Sequence, residues 1–339
     1  MDRQQERRTG AALVRASKTY SEEDIGLTWR LFAVTVVVFG TAVATAMLAP
    51  WWPVRLFGSV IAGLTVVRLF IFYHDYLHGA IFRNSVAGRW AMVAVGWGVL
   101  APPKVWRQTH DYHHQNNAKM VGASIGSFPT VSTQMWRRMR PRERFWYKVA
   151  RNPLTIVFGY FTVFVGGMCF SAFSRDPKEH WEGPAALATH IALIVLAELF
   201  VAPWAGFFGV ALPLFIACAM GTYLFYAQHN FPDAELRSRD QWVYHHAALK
   251  ASSMFDMPAW MHWFTGNIGY HHVHHLNHQI PFYRLPEAME AMPELQSPGR
   301  TSWHPRDVMA ALNLKLWDAE TNQFVGWEGA DKAKETVAA

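Results

Sequence analysis

Three short windows of the chain carry histidine at helical spacing. "YHDYLHG" places His74 and His78 at i, i+4, and "THDYHHQNN" places His110, His113 and His114 at i, i+3, i+4. "GYHHVHHLNHQIP" repeats that triad at His271, His274 and His275. On a helix such residues project from one face, so their rings can converge on a metal. One histidine-rich tract would read as a metal-sticky run without fold information; the same geometry in three distant windows is a constellation. His229, in "YAQHNF", adds a ninth imidazole.

Nine neutral nitrogen ligands are too many for one ion and suit two. Imidazole serves zinc, copper, iron and nickel alike, so ligand type alone does not choose. Structural zinc closes a four-ligand tetrahedron, whereas this number suggests higher-coordinate ions with positions left for oxygen. The chain has no Glu-x-x-His, the signature of soluble di-iron bundles. We read an all-histidine di-iron centre. Asp75 and Asp111 each follow a candidate ligand, and a helix neighbour points about 100° away, so each is expected to support a histidine of another window. Asn267 stands four residues before His271, on the same face if the helix reaches back through "GNIG", and otherwise caps or turns the chain. His272 would face away from its triad and support it from outside, and His245, His246, His262, His278 and His304 fit none of the spacings.

The elements that must hold these windows are apolar. The 339 residues are 51% hydrophobic and only 17% charged, well below the roughly 25% charge of ordinary globular chains. Residues 31–49 carry no charge, and at about 1.5 Å per residue they nearly cross a hydrocarbon core of about 30 Å. Further spans are expected at 54–73, 185–202 and 206–228. The stretch 87–101 would reach only about 22 Å and is expected at the membrane surface. The segment 154–173 is long enough to cross, yet a crossing there would put the last histidine window on the wrong side, so an interfacial or re-entrant course is expected. The outcome is an all-α membrane protein: four transmembrane helices in two hairpins, with a cytoplasmic helical cap holding the histidines.

Six Lys and Arg residues lie before residue 31, and residues 104–151 hold ten. By the positive-inside rule these stretches face the cytoplasm. The net charge of +6 is therefore a topology signal, with no separate basic domain to bind nucleic acid. Residues 1–30 read as a cytoplasmic segment without a cleavable signal, 31–297 as the catalytic unit and 298–339 as a cytoplasmic tail. Cys169 and Cys218 lie in apolar segments and read as small packing residues. Arg68, six residues before His74, is expected to snorkel to the surface, and the lone His190 to be a hydrogen-bonded packing residue.

The pattern H-x3-H, H-x2-HH, H-x2-HH resembles the membrane fatty acid desaturases, and "WFTGNIGYHHVHHLNHQIPFYRLPEA" is similar to bacterial acyl-lipid desaturases. The resemblance runs over roughly residues 30–295. It implies two irons held by His74, His78, His110, His113, His114, His271, His274 and His275, with His229 completing the site. It also implies a bacterial inner-membrane enzyme that takes O2 and two electrons from ferredoxin, flavodoxin or cytochrome b5. Two hydrogens then leave adjacent methylenes of a membrane lipid acyl chain. No His-Pro-Gly-Gly motif is present, so the donor is expected to be a separate protein. "FPDAE" after His229 departs from the acidic residue usual directly after this motif. Hydroxylation or epoxidation at the same centre is the sibling reading. A metal transporter fits less well, because transit sites belong near the bilayer midplane and these histidines lie past the ends of spans.

Overall fold

The computed structural model describes residues 8–120 and 125–329. Helix α1, Ile25–Leu48, starts earlier than the uncharged run because the Asp24 side chain accepts from the Leu27 N–H at 2.8 Å. It ends at Leu48, two residues before Pro50, and α2, Trp52–Leu77, begins with a proline in its first turn, where the missing N–H costs no bond. Helix α3 is Val86–Gly98, and α4, Pro103–Asn116, again opens on proline. Helices α5, Glu182–Phe200, and α6, Phe207–Ala227, with α1 and α2, make four long apolar helices among the described residues.

Helix α2 is the middle of the bundle. Its most apolar stretch is 72% buried, against 17% for α1 and α5, whose Val37 and Leu199 side chains point outward. Lipid is as apolar as leucine, so helices here gain by close backbone approach instead of by leaving water. Glycines permit it: a Cβ on Gly58 would lie 2.7 Å from the Ala46 nitrogen, and one on Gly63 would lie 2.8 Å from the Pro213 carbonyl. The turns after α1 and α5 meet, with the Trp204 indole N–H donating to the Met47 carbonyl at 3.0 Å and the Arg55 guanidinium 3.6 Å from the same ring. Helices α2 and α6 therefore leave that end side by side and deliver His74, His78 and His229 at the other.

Helix α3 has 13 residues, too short to cross a bilayer. Its Gly96 lies against the Tyr73 ring, and the Tyr73 hydroxyl donates to the Ala101 carbonyl at 2.7 Å, which fixes where α4 starts. Residues 153–175 form short helical pieces with wide turns over Tyr160–Ser171. Gly159 abuts Thr222, while Cys169 abuts Gly183 and donates to the Leu100 carbonyl. Both ends of this stretch thus sit toward the histidine end of the long helices.

Arg68 does not snorkel. It is buried, donating from Nε to the Thr35 hydroxyl at 2.9 Å and from Nη1 to the Trp263 carbonyl, with its guanidinium 4.4 Å from the Trp263 ring. Aromatic faces and a helix-end carbonyl supply what water would have supplied. His190 is likewise not hydrogen-bonded through Nε2, which has no partner among the described residues; its ring packs 5.8 Å from Tyr160.

Beyond the bundle, α7, His271–Leu276, carries the third histidine window. It is held by the segment before it, where the Phe255 N–H donates to the Gly269 carbonyl at 2.8 Å, and by the Asn277 amide, which donates to the Ser17 hydroxyl at 2.9 Å. Residues 298–329 of the expected tail pack onto this region. Arg300–Ser302 pairs in parallel with Met254–Asp256, and Leu316–Asp318 pairs with Gln323–Val325 around the buried Trp317. Residues 330–339 of that tail lie outside the described residues.

Candidate metal centre

The eight histidines singled out by spacing come together with His229 in two groups. His74, His78, His110, His114 and His274 form one; His113, His229, His271 and His275 form the other, with donor nitrogens in each group within 4.8 Å of one another. Each i, i+4 pair acts as a pincer on one group: 74/78 and 110/114 on the first, 271/275 on the second. The middle residues cross over, His113 to the second group and His274 to the first. The triads therefore do not converge on single ions, as one helical face suggested. Residues i and i+4 project nearly together, whereas i+3 leans to the other side of the stripe and meets the neighbouring group. The groups touch where the His114 and His275 rings stack at 4.3 Å.

Within each group, ring nitrogens face each other at hydrogen-bond distance. Nε2 of His110 lies 3.1 Å from that of His74, and Nε2 of His114 lies 3.0 Å from that of His110. In the second group Nε2 of His229 lies 2.9 Å from that of His271 and 3.1 Å from that of His113. The His229 Nδ1 faces the Ala251 carbonyl at 2.9 Å. A carbonyl only accepts, so the proton sits on Nδ1 and the Nε2 lone pair points into the group. His74 is set the same way by Asp75, whose Oδ1 lies 2.9 Å from the His74 Nδ1. Burial holds His78, His110, His113, His114, His271, His274 and His275 well below the usual histidine range, and His229 is pushed down to about 4. Buried imidazoles kept neutral in two tight groups fit metal binding, which needs deprotonated ring nitrogens.

The supporting groups differ from expectation in two places. Asp75 serves its own neighbour His74, not a histidine of another window, because the Nδ1 of a short imidazole arm lies close enough to its own backbone to be reached from i+1. Its second oxygen accepts from the Phe282 N–H at 2.7 Å, tying the first window to the chain after the third. Asn267 is not on a helical face with His271. It sits in a turn at φ +54 and donates to the Phe282 carbonyl at 3.1 Å. Asp111 does lie toward another window, with Oδ1 3.9 Å from the His78 Nδ1. His272 points away and contacts the Leu295 carbonyl at 3.0 Å.

Two neighbours escaped the spacing argument. Trp106 stacks on His110 at 4.1 Å; one helical turn upstream of a histidine was the available signal. The His278 ring lies 4.6 Å from that of His78 and 5.1 Å from that of His114, although it is absent from both groups. It stands four residues after His274, beyond the end of α7 at Leu276, so helical spacing could not place it. His245, His246, His262 and His304 stay outside the groups.

An apolar cavity of about 660 Å³ opens beneath this centre, with His74, His110 and His271 on its wall and Phe70, Leu214 and Met168 among its apolar lining. That volume falls in the ~300–1,000 Å³ range of small-molecule sites.

The pattern of the fatty acid desaturase family matches residues 50–306. The chain is 29% identical to a fatty acid desaturase of Bacillus subtilis over 273 residues, which is 79% of this chain and 76% of that protein. It is 23% identical over 322 residues to the sn-1 oleoyl-lipid 12-desaturase of a Picosynechococcus species, covering 87% and 85%. It is 27% identical over 283 residues to a chloroplastic sn-2 acyl-lipid omega-3 desaturase (ferredoxin) of Arabidopsis thaliana, covering 75% and 60%. Since the match takes in well over half of the sequence and every histidine of the two groups, this chain belongs to the fatty acid desaturase family.

Proposed function

We propose that the protein removes two hydrogens from adjacent methylenes of a membrane lipid acyl chain, using O2 at a di-iron centre held by the nine histidines. The observation that carries this reading is the juxtaposition of two imidazole groups with the wall of an apolar cavity of about 660 Å³. Bound iron supplies the redox and O2 chemistry that side chains lack. The chain's own residues do the rest. His74, His78, His110, His114 and His274 hold one ion; His113, His229, His271 and His275 hold the other. Asp75 and the Ala251 carbonyl keep protons on the outer nitrogens of His74 and His229, leaving their inner nitrogens free to bind. The cavity aligns a chain along His74, His110 and His271 and excludes water, so C–H bonds are held near the centre in one register.

In this reading the histidine end faces the cytoplasm, where the basic stretch 104–151 belongs, in a bacterial inner membrane. A separate reductant, whether ferredoxin, flavodoxin or cytochrome b5, approaches from that side. The test is expression in a host with simple saturated lipids, followed by mass-spectrometric profiling of fatty acids beside a His274→Ala control. New alkenes in the parent and none in the control support the proposal. Alcohols or epoxides in their place assign the sibling chemistry, and no new product in either removes it.

A further inference from the structure

The acyl cavity has a direction. Its lining includes Thr155, Ser171 and the exposed Arg175, which marks where it opens, whereas between α2 and α6 its lining is Val66, Leu214, Ala217 and Cys218. Just below these residues the helices close on one another, with Gly63 against Pro213 and Ile216. That end is apolar, lies between two of the long apolar helices and is closed off by this approach. A chain with a polar head must keep the head at the rim, so the part of the chain that enters the closed end is its methyl terminus.

Three glycines line the cavity, and they differ in what a side chain would meet. Gly126 has a left-handed φ of +67 and the Thr109 carbonyl 2.1 Å from a Cβ position; at Gly167 the Thr162 carbonyl is at 3.7 Å. At Gly221 nothing lies within 4 Å. Gly221 is on α6, eight residues before His229 and seven after Leu214, so it stands about 12 Å from the level of the metal centre and about 10 Å above the deepest lining residue on that helix. Helical glycine is otherwise unfavourable relative to a residue with a side chain, and here no neighbour requires it.

Building on the desaturase reading, we propose that Gly221 is the throat of a methyl-end pocket and determines how many carbons fit between the new double bond and the chain's methyl terminus. A larger residue there closes the lower pocket without displacing protein atoms. A site that loses room for even one methylene discriminates by roughly 10- to 200-fold, so the chain must be rejected or retracted toward the rim, moving the double bond closer to the methyl end.

The test expresses the full-length parent, Gly221→Leu and Gly221→Phe in the saturated-lipid host and locates double bonds by mass spectrometry, with iron content measured on each purified protein. The expected result is at least a tenfold fall in products with the parent's methyl-side carbon count, relative to products with a shorter methyl side, at unchanged iron content. Both variants giving the parent's ratio within twofold overturns the proposal. If either variant loses iron, Val66→Ala reads the same pocket in the opposite sense by lowering its floor. Products with longer methyl sides must then rise, and an unchanged profile overturns the proposal. A parent that makes no alkene fails the desaturase reading itself, whereas an active parent with indifferent variants fails only this inference.

Discussion

Asp75 holds two donors at once, the His74 Nδ1–H at 2.9 Å and the Phe282 N–H at 2.7 Å, and it is buried. Replacing it by Asn keeps the shape and removes one acceptor. If the amide oxygen faces His74, the NH2 group confronts the Phe282 N–H, and a buried donor pair is left unsatisfied. If the oxygen faces Phe282, the NH2 group faces the His74 Nδ1, which must then accept; the imidazole proton moves to Nε2, the nitrogen aimed at His110, and the lone pair for a metal is gone. Loss of such a supporting partner typically lowers metal affinity 10- to 100-fold, about 1.4–2.8 kcal/mol. The affected ion is that of the five-histidine group, because the other group is oriented by Ala251. Purified parent and Asp75→Asn protein dialysed against a graded series of chelator concentrations should differ. The variant is expected to drop from two irons to one at 10- to 100-fold weaker chelation, with the second ion leaving where the parent's does. Identical release curves would refute the orienting role of Asp75.

His274→Ala should abolish product and reduce bound iron, while His304→Ala, outside both groups, should change neither by more than twofold in the same lipid and metal assays. Acid should destabilise the metal-free protein. Burial lowers the folded-state pKa of His229 to about 4, so above about pH 6.5 folded and unfolded chains are both neutral there, and below it only the unfolded chain gains the proton. Stability then falls by about 1.4 kcal/mol per pH unit for each such histidine until the folded chain titrates too; a melting temperature flat from pH 7 to 5 would contradict this. Gly126→Ala places a Cβ on the Thr109 carbonyl at φ +67, behind His113, and should cost at least about 1–3 kcal/mol, read as a lowered melting temperature.

Much of the centre was readable because metal ligands obey local geometry. The i, i+4 pairs needed only helices to become pincers, and apolar length located four spans around them. What escaped depends on how helices meet. The crossing of His113 and His274 between groups is set by the approach of α4 to α7, not by either sequence alone. Asn267 failed as a helical-face residue because "GNIG" turns at positive φ before α7 begins. His278 reaches the site only because the chain folds back after α7. Arg68 read as a snorkeller because its partners, the Trp263 ring and carbonyl and the Thr35 hydroxyl, are far away in sequence. The residues after 298 showed no chemistry, since a strand that merely pairs with Met254–Asp256 leaves no motif.

X-ray absorption at the iron edge, on active protein purified with its metal counted per chain, reads the ligand sets directly. Two irons per chain in a shell dominated by imidazole nitrogen, as five- and four-histidine groups require, is the predicted result. Active protein that holds no iron, or iron bound chiefly through carboxylate or sulfur, would contradict the account at its centre.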